Sequence, residues 1–265
     1  MAAVTIAILK GMEDCRCDDS IDSLIYPIRQ KNCCERIIAM LQAIAPDIWH
    51  AQHAFVAAGL RVSSRMTVVR LQHSGLWLHS PVPLTPAIRS QLAALGEVQF
   101  IVAPSKTHHL FVGEYLDAFP QARLYGAPGL LAKRLDLQGL RELTPEVEPE
   151  WRADLEQVFF AGIPLGNETV WFHKTSRTLI VTDLCQWWRG DLSLGEKVYA
   201  SLSGVRAQLA VPRTIRLLVK DRQAARASAR KILEWPFERV VVAHDTIIEQ
   251  GAHEAVEKAF AYFDR

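Results

Sequence analysis

The sequence lacks long hydrophobic runs, although 49% of its 265 residues are hydrophobic. No uninterrupted apolar segment approaches the roughly 18 to 20 residues that cross a bilayer as a helix. An excess of one charge is also missing, because the formal net charge is only +1. Such a chain has no broad electrostatic attraction to nucleic acid or to anionic lipid. We therefore expect a soluble globular protein that binds neither nucleic acid nor membranes.

Two common catalytic motifs are absent as well. The segment 126–129, Gly-Ala-Pro-Gly, has neither the glycine spacing nor the Lys-Ser/Thr pair of a phosphate-binding loop, and it does not match the dinucleotide fingerprint. The chain also has no Gly-x-Ser-x-Gly motif, which marks the nucleophile of α/β-hydrolases. These absences argue against nucleotide-dependent enzymes and against serine hydrolases of that fold.

Cysteine is scarce beyond the first 45 residues, where Cys185 stands alone. The total of five is odd, and residues 1–9 are apolar but lack a basic leading region and a small-residue cleavage site. An odd number of cysteines without an export signal favours a reducing compartment. We therefore expect a cytoplasmic protein.

The other four cysteines set residues 1–45 apart from the remaining chain. They form two pairs, Cys15 with Cys17 and Cys33 with Cys34. Their spacing differs from the Cys-x-x-Cys knuckles of structural zinc sites, which favours free thiols; a redox-sensing disulfide is the alternative. We interpret residues 1–45 as a Cys-containing N-terminal extension and residues 46–265 as one domain.

Short apolar runs alternate with helical patterns along the domain. Runs rich in β-branched residues predict strands over 67–71, 76–78, 98–102, 123–125, 158–161, 169–173, 178–182 and 239–242. Amphipathic spacing predicts helices over 35–44, 85–95, 114–118, 128–135, 195–203, 221–234 and 252–262. Thr85 is a suitable N-cap for the second of these helices, Pro86 suits its first turn, and Gly96 ends it. The order of elements predicts a mixed α/β fold.

A hairpin between the strands 169–173 and 178–182 places two acidic residues together. If Thr175 and Ser176 are the central turn residues, Glu168 lies opposite Asp183 at the open end. His173 then lies at the turn end, on the order of 16 Å from that pair at about 3.3 Å per residue. Glu168 is therefore a better candidate for a site beside Asp183 than His173 is.

Histidines and one aspartate follow the ends of apolar runs throughout the domain. They are His79, the adjacent pair His108 and His109, Asp183 and His244. Ligands in α/β proteins bind where strands run out into loops, so these residues can converge although they are far apart in sequence. Imidazole and carboxylate groups together are typical ligands of zinc and related metals. The pattern predicts a metal site.

Several motifs resemble those of an uncharacterised bacterial and plant family, a domain of unknown function with the metallo-β-lactamase fold. The segments that carry this resemblance are RMTVVRL at 65–71, LWLHSP at 76–81, APSKTHHLF at 103–111 and SRTLIVTDL at 176–184. The similarity covers about residues 46–265. It implies an αββα sandwich, in which two mixed sheets pack between helices.

The resemblance implies only part of the ligand set of that superfamily, whose hydrolases hold two metals through a His-x-His-x-Asp-His motif. Aligning Gly113 with the glycine after that motif places His108 on its second histidine. The other three motif positions, and the ligand position of the later turn 162–167, have different residues here: Lys106, Leu110, Phe111 and Ile163. Asp183 and His244 match the bridging acid and the last histidine. His79 stands where the superfamily usually has an aspartate.

We therefore predict a metal-dependent hydrolase of an unidentified small substrate, with at most one divalent ion. The ion is zinc, iron or manganese, and its predicted ligands are His108, Asp183, His244, His79 and Glu168, the last two as extra ligands or as supports of the first three. Asp183 or His109 is expected to transfer protons. Lys106 would either disfavour a dication or hold an anionic substrate.

The alternative is a non-catalytic descendant of the fold that has lost the metal centre and binds a ligand or a partner in the same cleft. The Trp187-Trp188-Arg189 segment next to Asp183 is expected to border that cleft in either case. Sequence alone predicts neither the substrate nor the oligomeric state.

Overall fold

Two mixed β-sheets form the centre of the protein. The computed structural model describes residues 40–57 and 59–264. The first sheet has seven strands in sequential order: β1 Gln42–Ala45, β2 Ile48–Ala57, β3 Leu60–Arg70, β4 Gly75–His79, β5 Glu97–Ala103, β6 Arg123–Gly126 and β7 Arg141–Glu142. Strands β1 to β4 are antiparallel, and β4 to β7 are parallel.

The second sheet has five strands in the order β12-β11-β10-β9-β8. Their bounds are β8 Leu155–Phe159, β9 Thr169–His173, β10 Thr178–Val181, β11 Arg239–Val242 and β12 Ile247–Ile248. Only β10 and β11 are parallel in this sheet. Because parallel neighbours end at the same edge, the residues that follow β10 and β11 lie side by side.

The described part of the chain has six helices. They are α1 Pro86–Leu95, α2 Val112–Ala118, α3 Leu194–Ser203, α4 Arg213–Leu218, α5 Arg222–Leu233 and α6 Ala252–Phe260. Helices α1 and α2 pack on the first sheet, and α5 and α6 pack on the second. None of the helices within the described ranges is long and apolar enough to cross a membrane.

A third apolar layer holds the two sheets together. Trp77 from the first sheet packs against Trp151 and Trp171, with ring centroids 6.5 and 5.3 Å apart. All three tryptophans are fully buried, and aromatic pairs at these distances add to the stability that comes from burial. The layers run helix, sheet, sheet, helix, so the predicted αββα sandwich is confirmed.

Two local predictions hold in detail. The Thr85 side chain accepts a hydrogen bond from the backbone nitrogen of Ile88, with Pro86 in the first turn and Gly96 at the end of α1. In the hairpin of β9 and β10, Thr178 pairs with His173 and Ile180 with Trp171. This is the register that places residue 168 opposite residue 183.

Two predicted helices are wrong where the structure describes them. Residues 128–135 form turns instead of a helix, because Gly129 adopts a positive φ of 78° and breaks the helical path. Residues 42–45 are strand β1, which pairs with β2, so the sheet begins upstream of the expected domain boundary at 46. The cysteine pairs of the N-terminal extension lie outside the described residues.

Candidate metal centre

Three of the predicted ligands come together at one edge of the sandwich. His108, Asp183 and His244 each offer a ligand atom, and these atoms all lie within 4.8 Å of one another. Asp183 Oδ1 is 2.8 Å from His244 Nε2, and Asp183 Oδ2 is 3.4 Å from His108 Nε2. Both histidines are buried, while Asp183 is half-buried.

The fold explains why these residues meet. Asp183 follows β10 and His244 follows β11, and these two strands are parallel neighbours. His108 lies after β5 of the other sheet, in a turn where its backbone nitrogen donates to Ser105 Oγ at 3.3 Å. The cluster therefore spans the edges of both sheets, at the kind of strand end where α/β proteins bind ligands.

The Nδ1 atoms of both histidines are engaged on the side away from Asp183. His244 Nδ1 lies 2.5 Å from the carbonyl oxygen of Ser63, which can only accept, so Nδ1 carries the proton. His108 Nδ1 shares a hydrogen bond of 2.8 Å with Ser80 Oγ. Such outer contacts fix the ring orientation of metal-binding histidines and leave Nε2 as the ligand atom.

The donor set fits one divalent metal ion. His108 Nε2 is buried and makes no hydrogen bond to any described residue. His244 Nε2 faces the Asp183 carboxylate. Two imidazole nitrogens with one carboxylate oxygen match the ligand types of mononuclear zinc and non-haem iron sites.

The residues beside two of the histidines adopt a strained backbone. Ser80 follows His79 with φ 54°, and Asp245 follows His244 with φ 69°. A left-handed conformation costs roughly 1–2 kcal/mol for a residue with a Cβ, and such strain concentrates at functional sites. Ser80 uses this bend to reach His108, and the Asp245 backbone nitrogen donates to Ser63 Oγ at 2.9 Å.

Asp183 is held as a carboxylate. Burial would raise its pKa, but the charge and close contact of His108 and the hydrogen bond from His244 hold that pKa well below its usual range. Burial is the largest influence on His244 and lowers its pKa, but the hydrogen bond and charge of Asp183, the Ser63 carbonyl and the charge of Asp245 together raise that pKa above its ordinary value. Thr107 Oγ1 also donates to Asp183 Oδ2 at 2.7 Å, and Gln186 Nε2 to Oδ1 at 3.3 Å.

Glu168 lies beside Asp183, but its carboxylate binds the backbone. Its two oxygens accept hydrogen bonds from the backbone nitrogens of Thr182, Asp183 and Leu184 at 2.6, 3.0 and 2.9 Å. Burial, followed by the charge of Asp183, raises the pKa of Glu168 to about 7. The structure therefore does not bring Glu168 into the three-ligand group, and these contacts give it the role of shaping the loop that presents Asp183.

His79 is also outside the three-ligand group. It lies between the sheets, stacked on Trp77 at 5.5 Å and edge-on to Trp171 at 5.1 Å. Burial, with a smaller effect of His108, lowers the pKa of His79 to about 3. Its position places it in the aromatic layer below His108, where it packs against the rings that support the site.

His109 turns towards a partner that the sequence did not suggest. Arg134 Nη1 donates to His109 Nδ1 at 2.9 Å and to its carbonyl oxygen at 3.1 Å. Burial first, then the charges of Lys133 and Arg134, lowers the pKa of His109 to about 4. His109 is thus bound by Arg134 and is not a member of the three-ligand group.

Lys106 and His173 both make contacts outside the cluster. Lys106 Nζ donates to the carbonyl oxygen of Pro164 at 3.2 Å. His173 Nδ1 shares a hydrogen bond of 2.7 Å with Ser176 in the hairpin turn, where the register predicted it. Neither Lys106 nor His173 is part of the three-ligand group.

An open cleft lies over the cluster. Asp183 and His244 line its floor, together with Thr107 and Gln186. Trp188 lines one wall, as the sequence suggested, whereas Trp187 packs against the apolar core. The sequence did not indicate Thr107 or Gln186, although each lies within three residues of a predicted ligand.

Arg65 attaches the His244 loop to the first sheet. This buried side chain donates to the carbonyl oxygens of Val242, Asp245 and Thr246 at 2.6, 3.0 and 3.1 Å. We expect Arg65→Lys to lower the free energy of unfolding by about 2 kcal/mol, because a single ammonium cannot replace the planar guanidinium and leaves buried carbonyls unpaired. Urea unfolding measures the change.

The matched control is Arg61→Lys on the same strand. The Arg61 side chain is 64% exposed, so its replacement should change the free energy of unfolding by less than about 0.5 kcal/mol. Equal effects of the two substitutions would show that Arg65 does not hold the loop.

Comparison with solved structures agrees with this architecture. A metallo-beta-lactamase from Pontibacter korlensis matches with a TM-score of 0.57 and 12% identity, over 86% of this chain and 99% of that one. A metallo-beta-lactamase from Hirschia baltica matches with a TM-score of 0.57 and 9% identity, over 85% and 97%. The flavodiiron core of Flv1 from Synechocystis sp. PCC6803, a metal-soaked structure, gives 0.62 and 12%, over 85% and 61%.

The fold is therefore that of the metallo-β-lactamases, and the candidate site lies at a sheet edge of that fold. More particularly, the chain belongs to the family described as "Domain of unknown function (DUF4336)", whose model matches residues 46–187, more than half of the chain. The resemblance inferred from the sequence motifs is confirmed. No curated protein matches the chain.

Proposed function

We propose that this protein is a hydrolase that holds one divalent metal ion through His108, Asp183 and His244. The observation that carries this proposal is the orientation of the two histidines. Ser63 and Ser80 engage both Nδ1 atoms, and both Nε2 atoms face the same carboxylate. A divalent ion, when bound, supplies Lewis-acid activation of water and of the substrate.

The protein's own residues fix the site and transfer the proton. Thr107 and Gln186 hold the Asp183 carboxylate at the floor of the cleft. Asp183 is the proposed proton carrier, because it is the acidic group of the cluster that is both ionised and open to the cleft. The proposal includes a cytoplasmic location, consistent with the cysteine usage, and a small-molecule substrate.

The metal content of the purified protein tests the proposal. Protein prepared without chelators should contain about one equivalent of zinc, iron or manganese by elemental analysis, since three protein ligands typically retain such an ion. Less than about a tenth of an equivalent, even after incubation with each metal and removal of excess ions, would overturn the hydrolase assignment.

A second candidate function is ligand binding without catalysis. Its support is that Asp183 is fully hydrogen-bonded by protein groups: Oδ1 accepts from His244 and Gln186, and Oδ2 accepts from Thr107. A site that satisfies its own carboxylate is stable without an ion. Protein that is as stable after metal removal as after incubation with zinc, iron or manganese would favour this candidate.

A further inference from the structure

We propose that the cleft binds an uncharged ligand with an apolar body and a short polar end, such as an ester or amide of an apolar acid. This inference names the substrate class of the proposed hydrolase. It rests on that proposed function only in calling the ligand a substrate. The binding preference itself follows from the cleft walls. It therefore requires no metal.

The walls of the cleft are apolar on three sides. Ile163 and Leu165 come from the turn after β8, Ile215 and Leu218 from α4, and Trp188 from the segment after β10. A cleft with this lining is typical of sites for small, largely apolar molecules.

Charge argues against an anionic ligand. Neither lysine nor arginine is among the described residues that line the cleft. Lys106, the nearest basic residue of the ligand motif, donates to Pro164. The acidic groups of the lining are Asp183 and Glu168, and backbone nitrogens occupy the oxygens of Glu168. An anionic head group would therefore find no lysine or arginine among the described lining residues to compensate its charge.

Three uncharged polar side chains line the cleft close to the candidate metal ligands in sequence. Ser105, Thr107 and Gln186 line the cleft beside Asp183, and Ser105 Oγ bonds Thr107 Oγ1 at 2.8 Å. Hydroxyl and amide groups can pair with an uncharged carbonyl, hydroxyl or amide. A ligand that enters with its polar end first would place that end beside the candidate metal ligands and its apolar body against the walls.

Fluorescence titration with two matched probes tests this inference. N-phenyl-1-naphthylamine is apolar and uncharged, and 8-anilinonaphthalene-1-sulfonate is a similar molecule with an anionic group. We expect the uncharged probe to bind with a Kd at least about tenfold lower than that of the sulfonate, in the presence or absence of chelator. Equal or tighter binding of the sulfonate would overturn the inference.

Substitutions of leucines in and beside the lining show where the uncharged probe binds. Leu218→Glu places a charge inside the cleft and should raise the Kd of the uncharged probe at least about tenfold. Leu165 lines the rim and is 59% exposed, so Leu165→Glu should fold normally and raise the Kd about threefold to fivefold. The control is Leu217→Glu, next to Leu218 on α4 but 64% exposed and outside the lining; its Kd should stay within about twofold of the wild type.

The outcomes separate this inference from the proposed function. Unchanged probe binding in both Leu165→Glu and Leu218→Glu would show that the apolar cleft is not the binding site, even if the protein contains metal. Probe binding that is lost in these variants, in a protein without metal, would support the ligand class while the hydrolase assignment fails. Circular dichroism confirms that each variant is folded.

Discussion

Protein with Asp183→Ala is expected to lose its metal, from about one equivalent to below about a tenth, together with any hydrolytic activity. Asp183 is the acidic member of the cluster and contacts both histidines, at 2.8 Å from His244 and 3.4 Å from His108. Its removal leaves two neutral imidazoles, and a hydrolytic site needs about three protein ligands. Elemental analysis and isothermal titration with zinc measure the loss.

Asp245→Asn is the matched control for this substitution. Asp245 is adjacent to His244, but its carboxylate accepts from the backbone nitrogen of Arg189 at 3.2 Å. Its left-handed backbone, φ 69°, also suits asparagine. Metal content should remain at about one equivalent in this variant. If Asp183→Ala kept the metal while folding normally, the ion would have to be bound elsewhere, and the three-residue site would be wrong.

Two features explain why the core of the site was predictable: its residues follow the ends of strands, and the hairpin register could be derived from the turn. Asp183 and His244 follow adjacent parallel strands, so their positions in sequence determine that they meet. His108 was assigned through the motif at 103–111. The sandwich itself followed from the same motifs, and the β9–β10 register holds as far as Ile180 and Trp171.

What sequence could not predict is the direction in which side chains turn. His109 is next to His108, yet it bonds Arg134, which lies 25 residues away in a segment expected to be helical. Glu168 reached the expected position, but three backbone nitrogens bind its oxygens. These outcomes depend on loop conformation, and a left-handed glycine at 129 changed the path of the whole Arg134 segment. Residue type and spacing contain too little information to determine such loops.

Glu168→Ala should lower the free energy of unfolding by about 3–5 kcal/mol, because it leaves buried backbone nitrogens of three consecutive residues without an acceptor. Glu168→Gln should lower the free energy of unfolding less, by about 2 kcal/mol. Its one remaining oxygen still accepts a hydrogen bond, but its NH₂ group faces a backbone N–H that is also a donor. Chemical denaturation of metal-free protein measures both. Glu254→Ala on α6 is the surface control: its side chain is 67% exposed, so the denaturation midpoint should stay at the wild-type value.

The same variants decide whether Glu168 is a metal ligand or a support of the loop. As a support, Glu168→Gln should still bind one equivalent of zinc, with an affinity about 10 to 100 times weaker, because the backbone that presents Asp183 is less firmly held. If Glu168 is instead a metal ligand, the folded Glu168→Gln protein should no longer retain the zinc ion. The pairing of Thr182, Asp183 and Leu184 with one carboxylate favours the first result, since an oxygen that already accepts from backbone nitrogens has fewer lone pairs for a cation. Retained stability of metal-free Glu168→Ala would contradict the support role, because the loop would then not depend on this buried acid.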